Sequence, residues 1–304
     1  MNDLTEKLLR DGNLVGLKTR PARALIGWMS EREAQIFLGI PLAPATPLPE
    51  HVERVQKAQA VVRSRPAGID QTQVLSDVGE ELRDYLMEFQ KHPNSQYYLA
   101  RGGTIRIADL NGICALQPIV HRDYLDHSDH FRELLQDARQ DDVLSLIKIT
   151  LPIPTPRELP VQFDPQKNAW VLHSGNPDAR IVGHFSTRVE LAPGLFGMGY
   201  GFCLAHLPSF AQVVRYRGRY FLKDGYHRSL ALLEKGVTRI PVICQEILES
   251  QKLEVEGRLP DETILGAHPP TLTDYLRADV AAGGFHLASE KTIMIQSLEN
   301  RTWG

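Results

Sequence analysis

The chain has 304 residues, of which 42% are hydrophobic and 23% charged, with a formal net charge of −3. That length supports a substantial core, built as one large or two smaller domains. The near-neutral balance excludes a global basic field of the kind that holds long polyanions or anionic membranes. Cys114, Cys203 and Cys244 are far apart, have apolar neighbours and form no C-x-x-C pair, so buried reduced thiols in a cytoplasmic protein are expected. The opening from Met1 to Lys7 reads as polar rather than as a secretory signal, and no apolar run approaches a membrane span.

Helical spacing is present over residues 3 to 10 and 22 to 38, the second with Leu25, Ile26, Met29, Ala34, Phe37 and Leu38. Ser30 and Glu33 have capping-box spacing, so two short helices meeting near Met29 also fit. The proline-rich run from Pro41 to Pro49 is a stiff connector, and residues 51 to 63 and 73 to 90 predict further helices split by Pro66-Ala-Gly68. Residues 1 to 92 thus read as a helical region, a scaffold or a surface for a protein partner.

From Ser95 the pattern turns to β. Gln96 to Ala100 and Thr104 to Ala108, separated by Arg101-Gly-Gly103, predict a hairpin, and Ile113 to Val120 a further strand. His121 to His130 holds three histidines and three aspartates. Two readings stand there, a metal site of His and carboxylate ligands and a capping cluster before a helix over residues 131 to 139. Val143 to Leu151 reads as a buried strand. Pro152, Pro154, Pro156 and Pro160 then mark a boundary, which makes 93 to 160 a hairpin-plus-helix region.

Within 161 to 304, Trp170 to His173 and Arg180 to Leu191 predict strands turned by Gly175-Asn-Pro177, and His184, Arg188 and Glu190 share one face of the second at period two. Pro193 to Phe202 carries four glycines in eight residues, Gly194, Gly197, Gly199 and Gly201. It is read either as a mobile loop folding over a ligand or as a tight packing loop. Thr271 to Ala282 predicts a helix stopped by Gly283-Gly284, and Lys291 to Leu298 an edge strand.

The stretch Arg215 to Ile243 states a chemistry. Val213 to Tyr216 and Tyr220 to Leu222 form a hairpin about Arg217-Gly218-Arg219. A polar loop, Lys223-Asp-Gly-Tyr-His-Arg228, then leads into a helix that ends at Lys235-Gly236, and Val237 to Ile243 returns as a strand, with Pro241 suggesting an edge or a bulge. A glycine loop at a helix N-terminus can hold a phosphate through free N–H groups, with Arg228 as a fork and Lys223 as a point charge. In the alternative reading Asp224 is only the helix N-cap and His227 and Arg228 are solvated. The basic strip Arg215, Arg217, Arg219, Lys223 and Arg228 favours a small anion over a long polyanion.

Asp224-Gly225-Tyr226-His227-Arg228, followed by a short leucine-rich helix, Gly236 and Ile240-Pro241-Val242-Ile243, resembles the core of the ParB/sulfiredoxin superfamily over residues 204 to 247. The loop is nearest to the free-serine-kinase pattern Asp-Gly-x-His-Arg. In that superfamily the loop and helix start bind nucleotide phosphates, ATP in sulfiredoxins and free-serine kinases and CTP in ParB proteins. Tyr226 stands where sulfiredoxins carry the catalytic cysteine, which excludes sulfinic-acid reduction by this loop.

The resemblance implies an α+β fold in which a helical N-terminal region precedes a mixed, β-rich part with a ParB/sulfiredoxin-like core. It implies a nucleotide-binding protein, an ATP- or other NTP-dependent phosphotransferase or hydrolase working with Mg²⁺. Lys223, Gly225, Tyr226, His227, Arg228 and Ser229 would hold the nucleotide, and Asp224 and His227 would act in catalysis. The rivals are a DNA-associated nuclease or nucleotide-switched clamp, and a non-catalytic module that binds a nucleotide and a protein partner.

Overall fold

The computed structural model describes residues 19–39, 48–122, 129–153, 161–174, 179–206, 209–249, 253, 255, 257–287 and 291–296. The readings made on residues 3 to 10, on most of 41 to 49, on 123 to 128 and on the 175 to 177 turn lie outside them. The fold is α+β. Among the described residues no helix is long and apolar enough to cross a membrane.

The chain divides into two compact units, one of residues 1–153 with 209–288 and the other of 154–208 with 289–304. This differs from the three consecutive regions expected, because strands far apart in sequence pair with one another. The strand β1 (Thr19–Ala24) pairs antiparallel with both β5 (Ile119–His121) and β13 (Ala282–Leu287), so residues 22 to 24, expected to be helical, form the middle of a three-stranded sheet. Gly283 and Gly284 lie inside β13 and do not stop a helix; Thr271 and Asp274 instead close a capping box on a short 3-10 turn, Leu272–Leu276.

The helix α1 (Glu31–Gly39) starts where Ser30 and Glu33 exchange bonds, Glu33 N donating to Ser30 Oγ at 3.3 Å and Ser30 N to Glu33 Oε2 at 3.2 Å. With α2 (Pro49–Arg63) it covers the small sheet, Phe37, Val55 and Ala58 packing on Ala22, Ala24 and Ala282. Two short helices follow, α3 (Arg83–Lys91) and α4 (Pro93–Leu99). The second replaces the strand expected at Gln96 to Ala100: Pro93 sits in its first turn, and the His92 ring accepts from Asn94 N at 3.2 Å.

The large sheet of this unit has six strands in the order β2-β3-β12-β10-β11-β4. They are β2 (Leu75–Ser76), β3 (Thr104–Asp109), β4 (Cys114–Ala115), β10 (Gln212–Tyr216), β11 (Arg219–Asp224) and β12 (Arg239–Ile247). Along β12, Ile240 and Val242 face the main core while Ile243 faces a second cluster with Phe89, Ile147 and Phe210. A strand covered on both sides reads as a continuous apolar run. Pro241 is therefore not on an edge strand. It is tolerated because β10 pairs with β12 only from Ile243 onward, so Pro241 has a ladder partner on the β3 side alone.

Residues 143 to 151 are a helix and not a strand. After α5 (Asp129–Gln136), α6 (Val143–Thr150) opens with the Asp142 carboxylate accepting from Ser145 N at 3.0 Å, and it buries Leu146, Ile147 and Ile149. Its exposed line is Leu144 and Lys148, so a single charged residue marks the outer face, and a run this short and apolar does not separate helix from strand.

In the second unit β6 (Gln162–Asp164), β7 (Ala169–Ser174) and β14 (Lys291–Gln296) form a three-stranded sheet, and β8 (Ala179–Ala192) pairs with β9 (Leu195–His206) in a long two-stranded ribbon. The glycine-rich segment is thus strand β9 and not a loop over a ligand. Its glycines leave one face bare, and side chains of β8 lean into the gap: a Cβ on Gly199 would stand 2.9 Å from Val189 Cγ2, and the Phe185 ring lies over Gly201.

Candidate functional site

The segment 212 to 247 folds in the order expected of it. Arg217 and Gly218, at φ 48° and 80°, turn β10 into β11, the geometry of a type I′ hairpin. The helix α7 (Tyr226–Glu234) follows directly, and its end closes with Gly236 N on Leu233 O at 2.9 Å and Val237 N on Leu232 O at 3.0 Å. β12 then returns parallel to β10.

Gly225, at φ 92°, is the N-cap. A Cβ there would lie 2.9 Å from Ala211 Cα, so the close approach this glycine permits is to the start of β10. The first intrahelical bond is Ser229 N to Gly225 O at 2.9 Å. The N–H groups of Tyr226, His227 and Arg228 therefore lie in the first turn, ahead of the helical ladder.

Asp224 is not the cap. Its Oδ1 accepts from Gly225 N at 2.6 Å and from Ser209 Oγ at 3.4 Å. Ser209 in turn accepts from Arg228 Nη2 at 3.0 Å, while Arg228 Nη1 donates to Ile149 O at 3.1 Å. Arg228 is 4% exposed, so the expected phosphate fork is a buried strut joining the loop to α6.

Tyr226 and Ser229 lie on the buried side of the helix. With the helix starting at Tyr226, positions 226, 229, 230 and 233 make one stripe, and all four are buried. The Tyr226 hydroxyl donates to Leu222 O at 2.7 Å and accepts from Leu116 N at 2.6 Å, its ring meets Tyr275 edge-on, and burial raises its pKa. Ser229 is fully buried, and its hydroxyl has no hydrogen-bond partner among the described residues, which keeps it from a ligand in solvent.

Of the six nucleotide-contact residues expected, Lys223 and His227 keep partly exposed side chains, and Gly225 contributes main chain only. The His227 imidazole is pushed down to about 3, first by burial and then by the nearby His121, Arg228 and Arg20. It is neutral at pH 7, and every charged neighbour that shifts it is cationic.

Two of those neighbours come from the small sheet, and the strand register explains their meeting. Arg20 lies opposite His286 and Ala22 opposite both His121 and Gly284, so Arg20, His121 and His286 project from one face. Across the middle strand His121 Nε2 lies 3.1 Å from His286 Nδ1, with the small Ala22 between their strands, while the space over Gly284 is taken by the Phe37 ring. Burial lowers His286 too. His286 and Arg20 carry no local motif; only pairing across more than 260 residues brings their strands together.

Of the rest of the basic strip, Arg219 is structural, whereas Arg215 and Arg217 are exposed. Arg219 donates to Ile264 O at 2.7 Å and Gly266 O at 2.9 Å, and Arg215 stands 3.6 Å from Glu246. Cys114 and Cys244 are buried thiols pushed up to about 12 and about 11 by that burial, whereas Cys203 is exposed, contrary to expectation. Among the described residues no three His, Cys, Asp or Glu side chains are grouped to hold a metal. Asp224 is the one carboxylate in the 223 to 228 loop, and its Oδ1 is engaged by Gly225 N and Ser209 Oγ.

Comparison of the chain with protein-family models, with curated proteins and with solved structures returns no match.

Proposed function

We propose that the chain is a ParB/sulfiredoxin-like nucleotide-binding protein, an ATP- or other NTP-dependent phosphotransferase or hydrolase, with the phosphates docked on the N-terminus of α7. The observation that carries this reading is the set of cationic neighbours that shift His227, namely His121, Arg228 and Arg20, at the first turn of α7 behind the Gly225 N-cap. Oriented N–H groups, the helix dipole and nearby cations together select an anion.

In this reading the N–H groups of Tyr226, His227 and Arg228 bind phosphate oxygens, and Lys223 adds a charge from the end of β11. His227, neutral when the site is empty, donates a hydrogen bond to the phosphate or takes a proton from the attacking group. Arg228, Ser209 and Asp224 hold the loop in shape. Mg²⁺, when bound with the nucleotide, neutralises phosphate charge, and Asp224 is the carboxylate that would hold it.

A second reading, a non-catalytic nucleotide-binding module, is favoured by the Asp224 carboxylate being engaged by Gly225 N and Ser209 Oγ. Thermal shift against ATP, CTP, GTP and their diphosphates with Mg²⁺ tests binding: a ligand at 100 times its Kd stabilises by about 2.7 kcal/mol. Asp224→Asn then separates the two. It lowers turnover by a factor on the order of a hundred in the enzyme, whereas the binding module has no turnover to lose. No shift with any nucleotide refutes both.

A further inference from the structure

The β8–β9 ribbon exposes apolar side chains on both of its faces. Ten large hydrophobic side chains along it are 38% to 80% exposed. Phe185, Val189 and Leu191 stand on the face that leans over the glycines, and Phe196, Met198, Tyr200 and Phe202 on the other. At about 150 to 200 Å² per side chain, roughly half exposed, this is on the order of 900 Å² over the two faces together, about half of it on each. Each face is thus the size of the largest apolar patch of an ordinary monomer, about 300–600 Å². A two-stranded ribbon alone is also marginal in water, and among the described residues neither β8 nor β9 has a further strand partner.

The charges on the ribbon point to the occupant. Arg188 and Glu190 lie two residues apart on one face of β8, with opposite sign. In an antiparallel two-fold pairing of β8 with itself centred on Val189, Arg188 of each copy falls opposite Glu190 of the other. One such contact thus creates two ion pairs, and the same operation extends the ribbon to four strands whose apolar side chains become neighbours on both faces. We propose that this ribbon is a self-association arm that pairs β8 edge to edge with β8 of a second copy of the chain.

Sedimentation equilibrium of the full chain tests it. The unmodified protein is expected to dimerise. Arg188→Glu sets four carboxylates around the two-fold and should weaken dimerisation about tenfold or more, whereas the double variant Arg188→Glu with Glu190→Arg restores the opposite charges and the dimer. Because the double variant keeps both substituted positions non-native, its recovery cannot come from the fold of either single variant. A protein that stays monomeric, or a double variant no better than Arg188→Glu, overturns the proposal. So does a monomer that co-sediments with phosphatidylcholine–phosphatidylglycerol vesicles, since lipid would then be what covers the arm.

Discussion

The Arg228 guanidinium donates to the carbonyl of Ile149, the next-to-last residue of α6, at 3.1 Å. A side chain placed in sequence to grip a ligand instead ties the loop to a neighbouring helix. Removing it leaves the Ile149 carbonyl and the Ser209 hydroxyl short of a donor in a buried place. Arg228→Ala should cost roughly 2–4 kcal/mol of unfolding free energy in denaturant titrations. Arg228→Lys should not recover it, because one ammonium cannot span both acceptors. A stable Arg228→Ala protein with weakened nucleotide affinity would return Arg228 to the phosphate.

Tyr226 is tested by its hydroxyl alone. Tyr226→Phe keeps the ring against Tyr275 but strips the acceptor from Leu116 N and the donor from Leu222 O. The expected loss is about 1–3 kcal/mol of stability, with nucleotide-induced thermal shifts unchanged. A Tyr226→Phe protein of native stability would show that the hydroxyl is not held as described.

Gly225 is constrained twice, by φ 92° and by Ala211. Gly225→Ala demands both a left-handed alanine and movement of the β10 start, so a loss on the order of 2 kcal/mol or more is expected. Gly218→Ala, at φ 80° with open space around its Cβ position, should cost less. Equal costs at both glycines, measured by chemical denaturation, would remove the steric part of the argument.

Acid stability follows from His227 and His286. Both have folded-state pKa values below the ordinary 6.5, His227 at about 3, because burial disfavours the imidazolium. Between pH 6.5 and 3 the unfolded chain binds more protons at these sites than the folded one, so stability rises with pH across that window and is lost as pH falls through it. Denaturant midpoints should therefore drop between pH 7 and 5, and His227→Gln should flatten that slope. An anion at the helix start would raise the His227 pKa, so a nucleotide bound there should be taken up with a fraction of a proton, detectable by calorimetry in buffers of different ionisation enthalpy.

Residues 212 to 247 were legible because their signals are local. Arg217-Gly218 fits a turn needing positive φ, Gly236 a left-handed helix stop, and the leucine spacing of α7 a 3.6-residue period. Extending that period back to Tyr226 would also have placed Tyr226 and Ser229 on the core stripe. The capping box of Ser30 and Glu33 and the strands β7, β8 and β14 were equally local in cause.

What only tertiary structure decided has non-local causes. Ala22 to Ala24 are in a strand because β5 and β13, each about a hundred or more residues away, supply the ladder on either side. Val143 to Thr150 hid its helical period because the exposed line carries Leu144 beside Lys148, so one apolar residue stands where the polar face should show. The glycines of β9 look like a loop until β8 lays Phe185 and Val189 across them. Arg228 carries the same charge whether it faces a phosphate or the end of α6, and that choice rests on a carbonyl 79 residues earlier in the chain.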